Sequence, residues 1–417
     1  MPERSSRSGT ATVVGGGPAG LIAAEVLADA GISVTVYDHM PSAGRKFLLA
    51  GRSGLNLTHS ESIDQLLDRY GTAGDELESA IRSFTPDDLR DWCLGLGEAT
   101  FVGTSGRIFP NSFRATPLLR AWLRRLAGLG VRFELRHRWV GWSDHPSGAR
   151  FLRSDRTPID VASDVIVLAL GGASWPRVGS DGGWAEQFRQ AGIIVNPLRP
   201  ANCGVMIDWS AVFRDRFEGT PLKNVAVRVG ETTVRGEPVV TRSGLEGGPI
   251  YAHSRAVRDA IDDAGTCRLL IDLQPDLTLE QLTDRLATRR QKESLSTSLK
   301  RLTGLQPVAI ALLRETAPEG LPTDPHGVAM LLKATPVTVI ETMPIDRAIS
   351  TAGGIDFLEI DETFMLRKRP GTFVAGEMLD WEAPTGGYLL QACFSTGVAA
   401  AHGALARHLR TPSSTPS

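Results

Sequence analysis

The chain has 417 residues, a formal net charge of −2 and 42 % apolar residues. The length suggests two to three domains, and the near balance of charge excludes a global pull toward nucleic acid or acidic membrane. Its four cysteines, at 93, 203, 267 and 393, form no Cys-x-x-Cys pair, which excludes a zinc or disulfide framework and points to the cytosol.

Met1 to Gly9 is polar and basic, without the apolar segment of a secretory signal. Ala11 to Val14 is a short, largely β-branched run and reads as a buried parallel strand. Gly15-Gly16-Gly17-Pro18-Ala19-Gly20 then fits Gly-x-Gly-x-x-Gly. Gly15 permits the tight turn, Gly17 lets backbone approach a pyrophosphate, and Gly20 lets the helix pack on the strand. Pro18 and Ala19 stand at the helix start, where free N–H groups and positive partial charge meet a diphosphate. Leu21, Ala24, Leu27 and Ala28 recur at helical spacing, and Gly31 ends that helix. Val34 to Tyr37 is a second strand. Asp38 stands at its end, roughly 20 residues past the glycines, where a ribose hydroxyl needs an acceptor. An acid there disfavours a 2′-phosphate, so the nucleotide is of FAD or NAD type.

Pro41 to His59 mixes glycines, cations and amide or hydroxyl groups without period, as suits a loop along a charged ligand. Arg45 and Lys46 suit phosphates, and Ser53 and Asn56 suit a polar ring edge. Ile63 to Phe84 and Pro86 to Gly95 read as helices, the second capped by Thr85 with Asp88 three residues on. Gly103 to Pro110 is turn-rich, and Pro117 to Gly128 is an amphipathic helix. Strand-like pieces follow at 131–135, 139–142, 149–153 and 165–170. Arg132, Arg136 and Arg138 read as solvated strand faces. The apolar run Val165 to Leu170 enters Gly171-Gly172 and returns the chain to the nucleotide.

The texture changes at about Asn196. Residues 196–335 read as an inserted substrate or cap domain, strand-rich over 196–276 and helical over 277–335. Its cations Arg285, Arg289, Arg290, Lys292, Lys300 and Arg301 read as a solvated helix face in preference to an RNA contact. Residues 1–195 and 336–417 form one discontinuous nucleotide-binding domain. In its second part stand Thr351-Ala352-Gly353-Gly354, then Gly376-Glu377 with Asp380, then Gly386-Gly387-Tyr388 opening a helix to Leu409. No apolar run reaches transmembrane length. The Ser/Thr/Pro-rich tail from Thr411 reads as disordered.

Taken in order, these motifs resemble the BaiN-type FAD-dependent flavoproteins, also labelled the aminoacetone oxidase family. The matching stretches include Gly44-Arg45-Lys46, Gly51 through Asn56-Leu57-Thr58 and Leu170-Gly171-Gly172-Ala173-Ser174, beside the glycine motifs already quoted. The resemblance implies an α/β fold: a glutathione-reductase-like Rossmann FAD-binding domain with an inserted β-barrel plus helical domain. It implies that Asp38 binds the adenosine ribose and that the backbone of Val140 meets adenine. Arg45, Lys46, Ser53 and Asn56 would line the diphosphate and flavin, and Gly376, Glu377 and Asp380 the ribityl chain and diphosphate. Gly386, Gly387 and Tyr388 would offer N–H groups to the flavin pyrimidine edge. Many relatives carry Gly-Gly-Arg-Cys-Asn where this chain has Ser53-Gly54-Leu55-Asn56, so no cysteine can donate a proton from position 55.

The expected activity is that of an FAD-dependent oxidoreductase reducing an activated carbon–carbon double bond of a small molecule. FAD is expected to be non-covalent, with NAD(P)H docking transiently as a possible donor. The alternatives are an rRNA-modifying flavoenzyme of the dihydrouridine synthase kind and a flavin-dependent amine or aminoketone oxidase. An NAD-linked dehydrogenase and a flavin-holding module without turnover fit the motifs less well. Hydride addition needs a proton donor on the neighbouring carbon, and Cys203, Tyr388 and His59 are the candidates. No metal and no dithiol centre are expected.

Overall fold

Five parallel strands carry the nucleotide-binding half of the chain. In the computed structural model their order is Thr372–Val374, Val165–Leu168, β1 (Thr10–Val14), β2 (Ser33–Asp38) and Arg132–Leu135. The structure describes residues 9–51, 54–145, 147–290, 292–317 and 319–410; Ser53, Arg52 and the tail from Thr411 lie outside the described residues. Residue contacts divide the chain into two units, Met1–Arg199 with Ser350–Ser417, and Pro200–Ile349. The expected return to the first domain at 336 is therefore corrected to 350. The strand Thr335–Val339 pairs antiparallel with Cys267–Asp272 over five residues, which holds it in the second unit.

Helix α1 (Pro18–Asp29) follows β1 directly and is buried almost all round, from Ala19 to Leu27 on every face but one. The sequence pattern marks a single apolar stripe. The remaining faces are covered by the C-terminal helix Tyr388–Arg410, whose Gly397 has no room for a Cβ: one would lie 2.5 Å from the Ala19 carbonyl oxygen. Burial of α1 takes Glu25 with it. That carboxylate is satisfied by Trp122 Nε1 at 2.6 Å, Arg125 Nη1 at 2.9 Å and Trp92 Nε1 at 3.2 Å, which offsets its desolvation. The C-terminal helix is long and apolar enough to cross a membrane by length and composition, contrary to the sequence expectation. Most of that apolar surface is buried within the fold.

Two further segments differ from expectation. Residues 63–84 form not one helix but two, Ile63–Asp68 and Gly74–Ser83. Gly71 takes a left-handed φ of 57° between them, and the chain folds back so closely that a Cβ on Gly74 would lie 2.8 Å from the Leu67 carbonyl oxygen. The turn-rich stretch at 103–110 belongs to a hairpin of Thr100–Val102 and Arg107–Pro110. Phe101 opposes Phe109 in it, with ring centroids 5.7 Å apart. The same hairpin pairs with Thr58–His59.

The second unit holds two four-stranded sheets whose described pairings are all antiparallel. Helices Leu279–Ala287, Leu295–Thr303, Pro307–Glu315 and Pro325–Lys333 follow. Its core, including Val227, Leu269, Ile271, Leu282, Leu312 and Leu332, is its own.

Candidate active site

A groove with about 790 Å³ of free space, its open mouth included, runs along the carboxyl ends of the parallel strands. It is lined by Val14 to Ala19, by Tyr37 to Met40, by Arg45 and Lys46, by His137 and Trp139, and by Ala169 to Gly171, Val178 to Ser180 and Ala375 to Glu377. This is where open parallel sheets bind ligands. The three motif glycines act differently. A Cβ on Gly15, whose φ is 107°, would lie 2.1 Å from the Ala169 carbonyl oxygen, and one on Gly20 would lie 2.0 Å from that of Gly15. Those two glycines are required by protein packing. Around Gly17 nothing stands within 4 Å, so its bare backbone is left for something else. Helix α1 starts there with no side-chain cap and no acid in its first turn, so its positive end faces the groove uncompensated.

Asp38 accepts the Gly16 and Met40 N–H groups, each at 2.7 Å, through separate oxygens. A carboxylate has lone pairs left after two such bonds, enough for a ribose diol. Gly44, in the left-handed region, starts α2 (Arg45–Ala50) and brings Arg45 and Lys46 to the groove. Lys46 Nζ meets Glu377 Oε2 and Ser174 Oγ at 2.7 Å each. Glu377 also accepts the N–H groups of Thr351 at 3.0 Å and Gly172 at 3.3 Å. Glu377 thus accepts three hydrogen bonds, two on Oε2 and one on Oε1, and keeps acceptor capacity on Oε1. Burial, with Glu377 beside it, pushes the Cys393 thiol up to about 12. Cys393 lines the groove.

Near His39 and His137, Arg138 pairs with Asp181 at 2.8 Å. Burial pushes the Asp181 carboxyl up, but the Gly183 N–H and Arg138 outweigh it and leave it below the ordinary value. Burial and then Arg138 lower the His39 imidazole. Val140 does not line the groove. It is the extra residue of a β-bulge between Trp139 and Gly141, so its backbone is not committed to the ladder.

His59, Gly386, Gly387 and Tyr388 gather at the start of the C-terminal helix. Gly386 and Gly387 have φ of 152° and 98°, and a Cβ on Gly387 would lie 2.5 Å from Thr58 Cα. This contact seats the Asn56 to His59 segment beneath Tyr388. The His59 and Tyr388 rings stack at 5.5 Å and 23°. Tyr70, 1 % exposed, donates its hydroxyl to the Tyr388 carbonyl at 2.8 Å. Burial and then Glu61 raise the Tyr388 phenol above its ordinary value. Asp380 is not at the groove; it accepts Asn196 Nδ2 at 2.6 Å. Cys203 belongs to the second unit, buried with Met343 and Ala348, and its N–H donates to Ser254 Oγ at 3.1 Å. The sequence reading missed Glu61 and Arg69, which face Tyr388, and His137 and Trp139, which line the groove. Only their place in the fold identifies them.

Buried polar atoms show what the groove is made for. Arg45 Nε, Trp139 Nε1 and Asn56 Oδ1 are buried without a hydrogen-bond partner. Such atoms carry a cost that a ligand relieves. Two donors, a bare glycine and an uncapped helix start fit a dinucleotide carrying a diphosphate.

Fold and site together define an FAD-dependent oxidoreductase. The sequence matches the model described as HI0933-like protein Rossmann domain over residues 9–403, and the chain belongs to that family. It is 27 % identical to a 3-dehydro-bile acid delta(4,6)-reductase of Clostridium scindens, covering 95 % of this chain and 98 % of the relative. It is 24 % identical to a ribosomal RNA dihydrouridine synthase of Escherichia coli, with 95 % and 98 % covered. Among solved structures the fold is similar to a 3-ketosteroid delta1-dehydrogenase of Sterolibacterium denitrificans, with a TM-score of 0.53 at 13 % identity, covering 96 % of this chain and 100 % of that one. A flavocytochrome c3 fumarate reductase has a TM-score of 0.50 at 16 % identity, covering 97 % and 79 %.

Proposed function

We propose that the protein is a reductase that adds hydride and a proton across an activated carbon–carbon double bond of a small molecule. The observation that carries this reading is the phenol of Tyr388, 5 % exposed and stacked on His59 at the head of the C-terminal helix. The relationship to a double-bond reductase supports it. FAD, held non-covalently by Gly17, Asp38, Arg45, Lys46, Asn56 and Glu377, supplies the hydride when reduced. Asp38 takes the ribose, the head of α1 and Arg45 take the diphosphate, and Asn56 takes a polar ring edge. The uncommitted backbone of Val140 suits an adenine edge. Tyr388 supplies the proton to the carbon next to the one receiving hydride, and His59 holds its ring in place. Cys203 is the second proton-donor candidate. NADH or NADPH, docking transiently, is the electron donor of this reading, and the cytosol its location.

An RNA substrate is less well supported. Of the six cations on the helical part of the second unit, Arg301 is paired with Glu293 at 2.7 Å and Arg289 is bound to the Glu293 carbonyl at 2.9 Å. An amine oxidase reading has no observation of its own. The test is anaerobic: reduce the bound flavin with NADH or NADPH, then add 2-cyclohexenone or a 3-oxo-4-ene steroid. Reoxidation with formation of the saturated ketone is expected. Rapid reoxidation by oxygen with no reaction toward either enone would sink the reading.

A further inference from the structure

Beside Tyr388 lies a cluster that the nucleotide site does not use. Glu61 has a side chain only 8 % exposed and is gripped by both arms of one guanidinium: Arg69 Nη2 to Oε2 at 2.7 Å and Nε to Oε1 at 3.2 Å. A forked pair of this kind fixes the carboxylate in one plane. The same guanidinium stands 5.9 Å from the centre of the Tyr388 ring. His59 closes the other side. Its Nε2 lies 3.0 Å from the Ser105 carbonyl oxygen and its Nδ1 3.3 Å from the Glu61 N–H, which together demand the Nε2–H tautomer. Room for that ring exists because residue 106 is glycine: a Cβ there would lie 2.5 Å from His59 Cε1. Tyr388 is thus bounded by a ring, a cation, an anion and, through Tyr70, a bond to its own carbonyl.

We propose that Glu61 and Arg69 are positioning residues, a charge clamp that holds the Tyr388 phenol as the proton donor of the reduction. The proposal rests on the double-bond reductase reading given above. The Arg69 guanidinium stands beside the ring with Glu61 held on it, and rotation about the Cζ–O bond can aim the phenol proton at a substrate without moving the oxygen. The π bond of the substrate breaks. One carbon takes a hydride, which carries both electrons from the reduced cofactor, and its neighbour takes the phenol proton. The phenolate left behind faces Arg69, which stabilises it until it takes a proton from water. A nicotinamide-class donor then restores the two electrons. The charged groups facing the phenol are Glu61 and Arg69, with His59 on the ring face; Glu61 opposes its ionisation and Arg69 favours it.

A pair kept only for stability, half exposed at Arg69, would shift the phenol by its charge alone and leave the alkaline limb of turnover unmoved. The experiment therefore reads phenolate absorbance against pH on the FAD-loaded protein, taking the difference from Tyr388→Phe to isolate this phenol. Glu61→Gln should ionise it at lower pH than wild type, and Arg69→Met at higher pH, while Arg69→Lys should stay near wild type. The alkaline limb of the enone-reoxidation rate should move the same way. Tyr388→Phe should slow that reoxidation by about 100-fold or more and Glu61→Gln by about tenfold, at unchanged FAD content. Phenolate curves that coincide in the Gln and Met variants overturn the clamp, whatever the turnover. Curves that shift as expected in a protein that reduces no enone leave the clamp standing and overturn the reductase reading.

Discussion

The nucleotide groove and the tyrosine corner belong to one unit and are built on opposite rules. In the groove the protein leaves groups unused: Arg45 Nε and Trp139 Nε1 lack partners, and Gly17 has empty space beside it. In the corner the charged and ring groups are held by other residues of the protein, Glu61 by Arg69, His59 by Ser105 and the Tyr388 carbonyl by Tyr70, and only Asn56 Oδ1 and Thr58 Oγ1 beside them lack a partner among the described residues. A holding site shows itself by unmet demand, because a ligand completes it. A reacting site shows itself by surplus constraint, because its geometry must exist before the substrate arrives.

That contrast can be broken, and the glycines give the largest effect. Gly20→Ala forces a Cβ to 2.0 Å from a backbone oxygen. Loss of more than about 3 kcal/mol and of FAD is expected, read by thermal unfolding and flavin content. Gly17→Ala meets nothing within 4 Å. It should leave the apoprotein within about 0.5 kcal/mol of wild type yet weaken FAD binding about tenfold, since the space it fills belongs to the ligand. Equal destabilisation by both would show that the groove glycines are all structural.

Next comes Glu377→Gln, which leaves Lys46 facing a neutral amide across 2.7 Å. A loss of about 2 kcal/mol in apoprotein stability is expected from urea unfolding. A smaller and opposite pair sharpens the contrast. Tyr70→Phe removes a buried bond and should cost about 1 kcal/mol. Trp139→Phe removes a donor that has no partner, so its cost to the apoprotein is that of the lost ring volume alone, while FAD binding should weaken. Smallest is Arg138→Ala, at an ion pair whose Arg side chain is 48 % exposed, with less than about 1 kcal/mol expected. The Asp181 carboxyl titrates below its ordinary value in the fold. Its contribution is therefore whole above the ordinary value and fades as pH falls through the folded one. Arg138→Ala should flatten that acid limb in a stability-against-pH series.

The two regions also differ in how far the sequence alone reveals them. The groove is written locally. Gly15, Gly17, Gly20 and Asp38 fall within one β1–α1–β2 unit, where spacing along the chain is spacing in the site. The corner joins residues 59–70 to residue 388, and no local period links them. Tyr388 and His59 were reachable through their glycine neighbours and loop chemistry. Glu61 and Arg69 carry no motif in the sequence, and only the fold brings them toward the phenol. The end of the insert was misread for a similar reason. A β-favouring run at Thr335–Val339 carries no mark of which sheet it joins, and its partner, Cys267–Asp272, lies some 60 residues earlier.

The tight seat of Gly397 on α1 makes the C-terminal helix a ruler. Backbone touches backbone there, at Ala19 in the first turn of α1, so the two helices cannot slide without a collision. Tyr388 stands nine residues from that fixed point along the same helix, or about 13 Å at helical rise. The helix contact thereby fixes the distance between the first turn of α1 and Tyr388, which the proposed function assigns to the diphosphate and to the proton donor. One residue inserted between 388 and 397 would turn the phenol by about 100° around the helix axis and leave the nucleotide cradle untouched. Such a chain should still turn yellow with FAD, yet be unable to finish the reaction.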